Sequence, residues 1–299
     1  PGSTIYYMNP VRLNDHARIA QQQYGVRHFV VDHHSGLAPL LNEIDAKQSV
    51  IFARMAVSHE SAMEDLSAKF GARPENIPAL LMAISDAGAE PALAFNVGTG
   101  VTDPEAYAYA MGVAREALNN IPFRIRLLDI GGGFPKSYPG YDVPHLDEYF
   151  QRTRETAATL PLADNGELLA EPGRALSAPG LSAVTQVLLR KTDRVYLNDG
   201  MYGAFWELRF KGHTRYPARV FRNGAALEGN TKAFRIFGPT CDSSDELPAR
   251  VELPEDIDVG DHIEFGSIGA YSLSGLTNFN GFYSDDVVSF TDKDAAPPA

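Results

Sequence analysis

The sequence predicts an α/β barrel of the TIM-like kind, here lacking its first strands, followed by an antiparallel β C-terminal domain. Three observations predict it. Up to about Arg174, short apolar runs alternate with amphipathic stretches, the pattern of repeated βα units around a parallel sheet. After Pro179 the pattern changes to short β-rich runs punctuated by Gly, Pro and Asp. Glycines and charges gather where the predicted strands end, the place where barrel enzymes keep their chemistry. Residues 1–178 are therefore assigned to a partial barrel, 179–290 to the β domain, and 291–299, polar and proline-bearing, to a disordered tail.

Six strands are expected in the first part, beginning near Ile5, His28, Val50, Pro91, Arg124 and Glu167. Each is a short run rich in apolar or β-branched residues. Of the helices between them, Pro104 to Asn119 is the best defined: Thr102 or Asp103 can cap it, Pro104 suits its first turn, and Tyr107, Met111, Ala114 and Leu118 share one face, a stripe read as core. In the second part, Ser182–Leu189, Arg194–Leu197 and His262–Phe265 read as strands. A closed barrel of this type needs eight strands. Six leave the barrel short at its start, so the first strands are expected to be missing from this sequence or supplied by a separate N-terminal fragment.

Length and composition bound the function classes. A chain of 299 residues, 44% hydrophobic, can bury a sizeable core in two domains. The formal net charge of -12 argues against non-specific nucleic-acid binding, which needs a basic face, but not against a phosphorylated cofactor held by local arginines and backbone N–H groups. No apolar run is long enough for a membrane span and no signal peptide is evident, which makes a cytoplasmic location the expectation. The single cysteine, Cys241, excludes an intramolecular disulfide and any cysteine-cluster metal site. The pair His33-His34 beside Asp32 points to opposite sides of an extended backbone, so no metal site is expected there.

Five segments carry the chemistry: Asn96-Val97-Gly98-Thr99-Gly100, Asp129-Ile130-Gly131-Gly132-Gly133-Phe134, Glu171-Pro172-Gly173-Arg174, Gly238-Pro239-Thr240-Cys241-Asp242 and Gly269-Ala270-Tyr271. Glycines at a strand end allow close backbone approach to a phosphate, and an arginine adds positive charge. Alone, the glycine triplet could equally be a tight turn, and a single Cys-Asp pair says nothing of its role.

In this order and spacing, together with Asn278-Phe279-Asn280-Gly281-Phe282, the segments resemble the fold-type III pyridoxal-phosphate decarboxylases that act on ornithine, arginine, lysine and diaminopimelate, most closely the ornithine branch. The resemblance runs from Ile5 to Phe282. It implies a barrel plus β domain, pyridoxal 5'-phosphate as cofactor, decarboxylation of ornithine or a related diamino acid, and a homodimer with shared active sites. By resemblance Glu171 faces the pyridine nitrogen, where it favours carbanion chemistry. Gly131, Gly132, Gly133, Gly173 and Arg174 make the phosphate cradle, with Thr99 as a hydroxyl donor and Tyr271 closing it. Cys241 and Asp242 reach the partner subunit's site, the thiol to deliver a proton to Cα and the carboxylate to meet the distal amine of the substrate. Lys69 pairs across the dimer with Asp245.

Three departures stand against that pattern. The Schiff-base lysine, which the family carries on its first barrel strand, is absent; Lys47, Lys69, Lys136, Lys191, Lys211, Lys232 and Lys293 lie in other contexts. Asn96 stands where the family stacks a histidine on the cofactor ring. Lys211 falls about where ornithine decarboxylases carry a second acid for the distal amine; in the pocket it would repel a cationic tail and favour an acidic or neutral one. A second reading is accordingly a non-catalytic paralogue that binds a partner protein, and a third is a decarboxylase of an unusual biosynthetic amino acid.

Overall fold

The computed structural model describes residues 2–209, 215–284 and 286–290. Two compact units divide at Ala178 and Pro179. In the first, six strands lie side by side in chain order and all run parallel: β1 (Tyr6–Tyr7), β2 (His28–Val31), β3 (Val50–Met55), β4 (Glu90–Phe95), β5 (Leu127–Asp129) and β6 (Glu167–Leu169). The helices α1 (His16–Tyr24), α2 (His34–Glu43), α3 (Ile77–Asp86), α4 (Glu105–Leu118) and α5 (Leu146–Ala157) fill the crossovers, and a short α6 (Arg174–Ser177) follows β6. This is the wall of a barrel with six staves; among the described residues β1 and β6 are its two open edges.

Strand alternation divides the apolar side chains between two faces. Phe29, Val31, Ile51, Leu93, Phe95 and Leu128 pack against the helices, while Val30, Val50, Phe52, Ala92, Ala94 and Leu127 form a second cluster on the inner face. Tyr6, Met8 and Leu169 pack against that inner cluster. Helix α4 buries Tyr107, Met111, Ala114 and Leu118 as its stripe predicts, and the Asp103 carboxylate accepts the Glu105 amide at 2.9 Å to cap it. Strand β5 starts three residues later than the sequence suggests. Arg124 instead donates to the Leu162 carbonyl, and Arg126 pairs with Glu90 and Glu167, so both side chains tie down the sheet's amino end before the ladder begins at Leu127.

The second unit is a seven-stranded sheet of β7 (Ala183–Lys191), β8 (Arg194–Leu197), β9 (Ala218–Arg222), β10 (Ala225–Ala226), β11 (Thr231–Phe237), β12 (Val251–Pro254) and β13 (His262–Phe265). Its order is β10-β9-β13-β7-β8-β11-β12. The sheet is mainly antiparallel, with one parallel pairing: β11 runs parallel to β8. The chain leaves β8, builds β9 and β10 beyond β13, and returns to the free side of β8 by a crossover, the kind of connection that parallel pairing requires. Val187, Val195, Leu197, Phe234, Ile236, Ile263 and Phe265 are among its buried residues, and Phe205 packs edge-on to Phe265 at 4.8 Å. Residues 291–299, expected to be a disordered tail, lie outside the described residues. No helix among the described residues is long and apolar enough to cross a membrane.

The inner cluster makes a direct test of the barrel wall. Phe52 is fully buried, and Phe52→Ala is expected to cost about 3–5 kcal/mol in denaturant unfolding. Leu13→Ala, at a site that is 70% exposed, is expected to change stability by less than about 0.5 kcal/mol.

Candidate active site

Period-two alternation carries the inner face of the sheet upward into the site. Arg54, Ala94, Asp129 and Leu169 lie in one register row across β3, β4, β5 and β6. One step further on, Asn96 and Glu171 continue the same parity. The parallel ladder itself runs on past β6: the Ile130 amide donates to Leu169 and the Glu171 amide to Gly131, each at 2.9 Å. Asn96, the glycine run and Glu171 are thereby neighbours, because a side chain at Gly132 would meet the Glu171 carbonyl at 2.7 Å and one at Gly131 would meet Asn96 Cβ at 3.1 Å. Gly131 also has φ of 68°, in the left-handed region where glycine carries no Cβ penalty.

Charge is concentrated in this row. Asp129 is buried and accepts the Gly131 amide at 2.8 Å; burial pushes its carboxyl above the ordinary range, with that amide and Arg54 opposing. Glu171 keeps access to solvent at its edge, yet the protein crowding its carboxyl and the nearby Asp129 push it up to about 7, against the pull of Arg54. The Arg54 guanidinium lies 5.3 Å from the centre of the Phe70 ring. Sequence motifs passed over Arg54. Its one signal was an arginine at an inward position near the end of the otherwise apolar run Val50–Met55.

The glycine run supplies donors through its peptide planes. The carbonyls of Gly131, Gly132 and Gly133 accept, in turn, the Glu171 amide at 2.9 Å, the Tyr107 hydroxyl at 2.8 Å and the Val101 amide at 2.9 Å. In a planar trans peptide the carbonyl and the next N–H point in opposite directions. The N–H groups of Gly132, Gly133 and Phe134 therefore turn away from those partners, and none of them meets an acceptor among the described residues. Three adjacent amides without a protein acceptor are donors that an anion could use. Tyr107, fully buried, is held against Phe134 by ring stacking at 4.9 Å.

The other predicted residues of the first unit lie around these donors in sequence, with their own contacts. Thr99 exchanges backbone hydrogen bonds with Met63 and Glu64, leaving its hydroxyl half-buried. Asn96 accepts the Gly98 amide at 3.0 Å through Oδ1. Arg174 is buried at the start of α6, follows Gly173, and donates to the Tyr138 hydroxyl at 3.4 Å. His33 caps α2, its Nδ1 accepting the Ser35 amide.

Cys241 and Asp242 belong to the second unit, where with Gly238, Pro239, Thr240 and Phe282 they line an open cavity of about 540 Å³, in the size range of a ligand site. Asn280 donates to Cys241 Sγ at 3.0 Å, and Tyr202 donates to Asp242 Oδ2. The ring of Tyr202 stacks on Phe279 at 4.4 Å. The Asn278–Phe282 motif thus supports the Cys-Asp pair from within the same unit. Tyr271 is half-exposed, with φ of 57°. Lys211 lies outside the described residues.

Asp245 has partners of its own within the second unit. Its carboxylate is buried and engaged within its own unit, Oδ1 by the Met201 amide at 2.7 Å and Oδ2 by the Thr240 amide and hydroxyl at 3.1 and 2.7 Å. A side chain at Gly200 or Gly238 would collide with that carboxylate, which explains the glycine that begins Gly238-Pro239-Thr240. Lys69, its expected partner across a dimer, places Nζ 5.0 Å from the centre of the Phe70 ring. Asp245 is a clamp for the loops that carry Cys241.

Comparison with known proteins gives the family. Residues 1–178 match the model of the pyridoxal-dependent decarboxylase, pyridoxal binding domain. The chain is 30% identical to antizyme inhibitor 2 of Xenopus laevis, over 95% of this chain and 65% of that protein. It is likewise 30% identical to lysine/ornithine decarboxylase of Selenomonas ruminantium, over 98% of this chain and 73% of the relative. A crystal structure of an SrLDC mutant in complex with PLP superposes with a TM-score of 0.82 at 30% identity, over 93% of this chain and 71% of that one. The chain thus spans about two thirds to three quarters of the length of these relatives, from 65% to 73%. With a matching cofactor-domain model over its first unit and a shared fold across nearly its whole length, the chain belongs to the family of pyridoxal-dependent decarboxylases.

Proposed function

We propose that this chain holds pyridoxal 5'-phosphate at the carboxy end of its parallel sheet and decarboxylates an amino acid, within a homodimer whose subunits share their active sites. The observation that carries the reading is the set of three unpartnered amides at Gly132, Gly133 and Phe134 beside Glu171. The donor set fits the cofactor: amides and the Arg174 guanidinium suit its phosphate, and a carboxylate suits the protonated nitrogen of its ring. When bound, the cofactor supplies the electron sink that takes up the pair left on Cα as carbon dioxide departs.

The chain's own residues do the rest. The three amides bind phosphate oxygens, joined by Arg174 and the Thr99 hydroxyl, with Gly173 admitting the phosphate to the backbone and Tyr271 closing the cradle. Glu171, as the carboxylate, holds the proton on the ring nitrogen. Arg54 favours that ionised state. Asn96 flanks the ring through Nδ2, since its Oδ1 is already bonded to the Gly98 amide. Cys241 delivers a proton to Cα from the partner subunit's side, with Asn280 orienting the thiol. Family resemblance alone suggests ornithine or a related diamino acid as substrate; the contacts of Asp242 narrow this in another direction.

A second reading has one observation in its favour, the 30% identity to a protein named antizyme inhibitor 2. On that reading the chain is a binding protein without catalysis. Glu171 and the three amides count against it, because a scaffold has no physical need for a raised carboxyl beside unpartnered donors.

A visible-absorbance titration with pyridoxal phosphate separates the two readings. Saturable binding is expected for the enzyme, and its absence favours the scaffold. Glu171 is protonated below about 7 and ionised above it, so cofactor affinity is expected to rise with pH through that value. The sign for folding is opposite: a carboxyl raised above its unfolded value contributes stability at low pH that fades as pH climbs toward 7. Glu171→Gln is expected to flatten both dependences and weaken cofactor binding about tenfold. A wild-type titration independent of pH overturns the role given to Glu171.

Carbon dioxide release from a panel of L-amino acids, measured with cofactor and a lysine-bearing N-terminal segment, tests the reaction. Cys241→Ala is expected to lower turnover about a hundredfold while leaving the cofactor titration unchanged.

A further inference from the structure

Asp242, given above the task of meeting the substrate's tail, is already occupied. Its Oδ2 takes the Tyr202 hydroxyl and its Oδ1 takes the Ser244 amide at 2.9 Å. A positive charge also sits nearby. The Arg209 guanidinium lies over the Tyr202 ring, 4.6 Å from its centre; the hydrogen bonds from Tyr202 and Ser244, and least the Arg209 charge, hold the Asp242 carboxyl below its ordinary range. Tyr202 is fixed from the other side by Phe279, so phenol, carboxylate and guanidinium form one ordered cluster.

The cluster has the wrong polarity for an ammonium ion. A cationic tail approaching Asp242 would share its carboxylate with the phenol and the Ser244 amide and would approach a guanidinium. Like-charge juxtaposition of this kind is what interfaces use to reject a partner. Arg209 by contrast is exposed and makes no hydrogen bond among the described residues. Its planar fork of five N–H donors matches a carboxylate in a bidentate manner.

We propose that the tail-reading group of this site is Arg209, with Tyr202 and Asp242 as its support, and that the substrate is an L-amino acid whose side chain ends in a carboxylate rather than an amine. This deepens the decarboxylase reading and rests on it in one respect: Asp242 must stand at the substrate's tail.

Calorimetric titrations of the cofactor-loaded chain, corrected with cofactor-only blanks, test this with L-glutamate, L-ornithine and the apolar control L-norvaline. L-Glutamate is expected to bind about tenfold or more tightly than either of the others. Arg209→Gln is expected to lower glutamate affinity about tenfold. Tyr202→Phe keeps the stacked ring but removes the phenol donor, and is expected to raise ornithine affinity several-fold by releasing Asp242. Equal or tighter binding of ornithine, or a glutamate-to-ornithine ratio unmoved by Arg209→Gln, overturns the inference. The same titrations on the cofactor-free chain keep the two claims apart. A glutamate preference without any cofactor binding supports Arg209 and defeats the decarboxylase reading, whereas cofactor binding with an ornithine preference does the reverse.

Discussion

The hydrogen bond from the Glu171 amide to the Gly131 carbonyl is the contact on which the candidate site depends. It extends the pairing of β5 and β6 beyond their last rungs, and so fixes Glu171 on the inward side of the sheet. The same bond takes the carbonyl of Gly131 out of play. With the Gly132 and Gly133 carbonyls held by Tyr107 and Val101, each of the next three amides faces away from the partner of the carbonyl before it. The ladder bond therefore positions the carboxyl and the first of the donors. The close approach it demands excludes a side chain at Gly132, where a Cβ would sit 2.7 Å from the Glu171 carbonyl.

Much of the frame was legible in the sequence because burial writes itself as alternation. β2, β3 and β6 begin where their apolar runs begin, and the face of α4 is the one its spacing marks. The parallel pairing of β8 with β11 was not legible, since it depends on β9 and β10 lying beyond β13, a matter of strand order and not of any strand's composition. In the site, the glycine run could be seen but not which of its atoms are available. The partners that decide this, Val101 and Tyr107, lie about thirty residues earlier in a loop and a helix, and their hydrogen bonds are products of packing. Arg54 was missed for a different reason: a single arginine in a strand resembles an edge residue until the parity of its neighbours is known.

The second unit follows a similar logic with a carboxylate at its centre. Buried Asp245 satisfies donors from two loops, at Met201 and at Thr240, and excludes side chains from Gly200 and Gly238. An unpaired carboxylate in that position would carry a large desolvation cost, so its three donors make the loops move as one. Cys241 and Asp242 follow directly after the clamped Thr240. Their placement is thus a result of Asp245, a residue whose neighbourhood in sequence suggests surface exposure.

Electrostatics connects the fold to the chemistry. In a chain of net charge -12, the inner row gathers Asp129 and Glu171 around Arg54, two carboxyls to one guanidinium. Both carboxyls are raised because neither solvent nor a second cation compensates them fully. A ligand bringing one positive charge to Glu171 relieves that imbalance, and one bringing negative charge to the three amides meets donors that the protein has left without acceptors. The two features are separated along the same strand end and have opposite signs. A molecule with a cationic ring at one end and an anionic phosphate at the other satisfies both at once, which is a stronger constraint on the ligand than either feature alone.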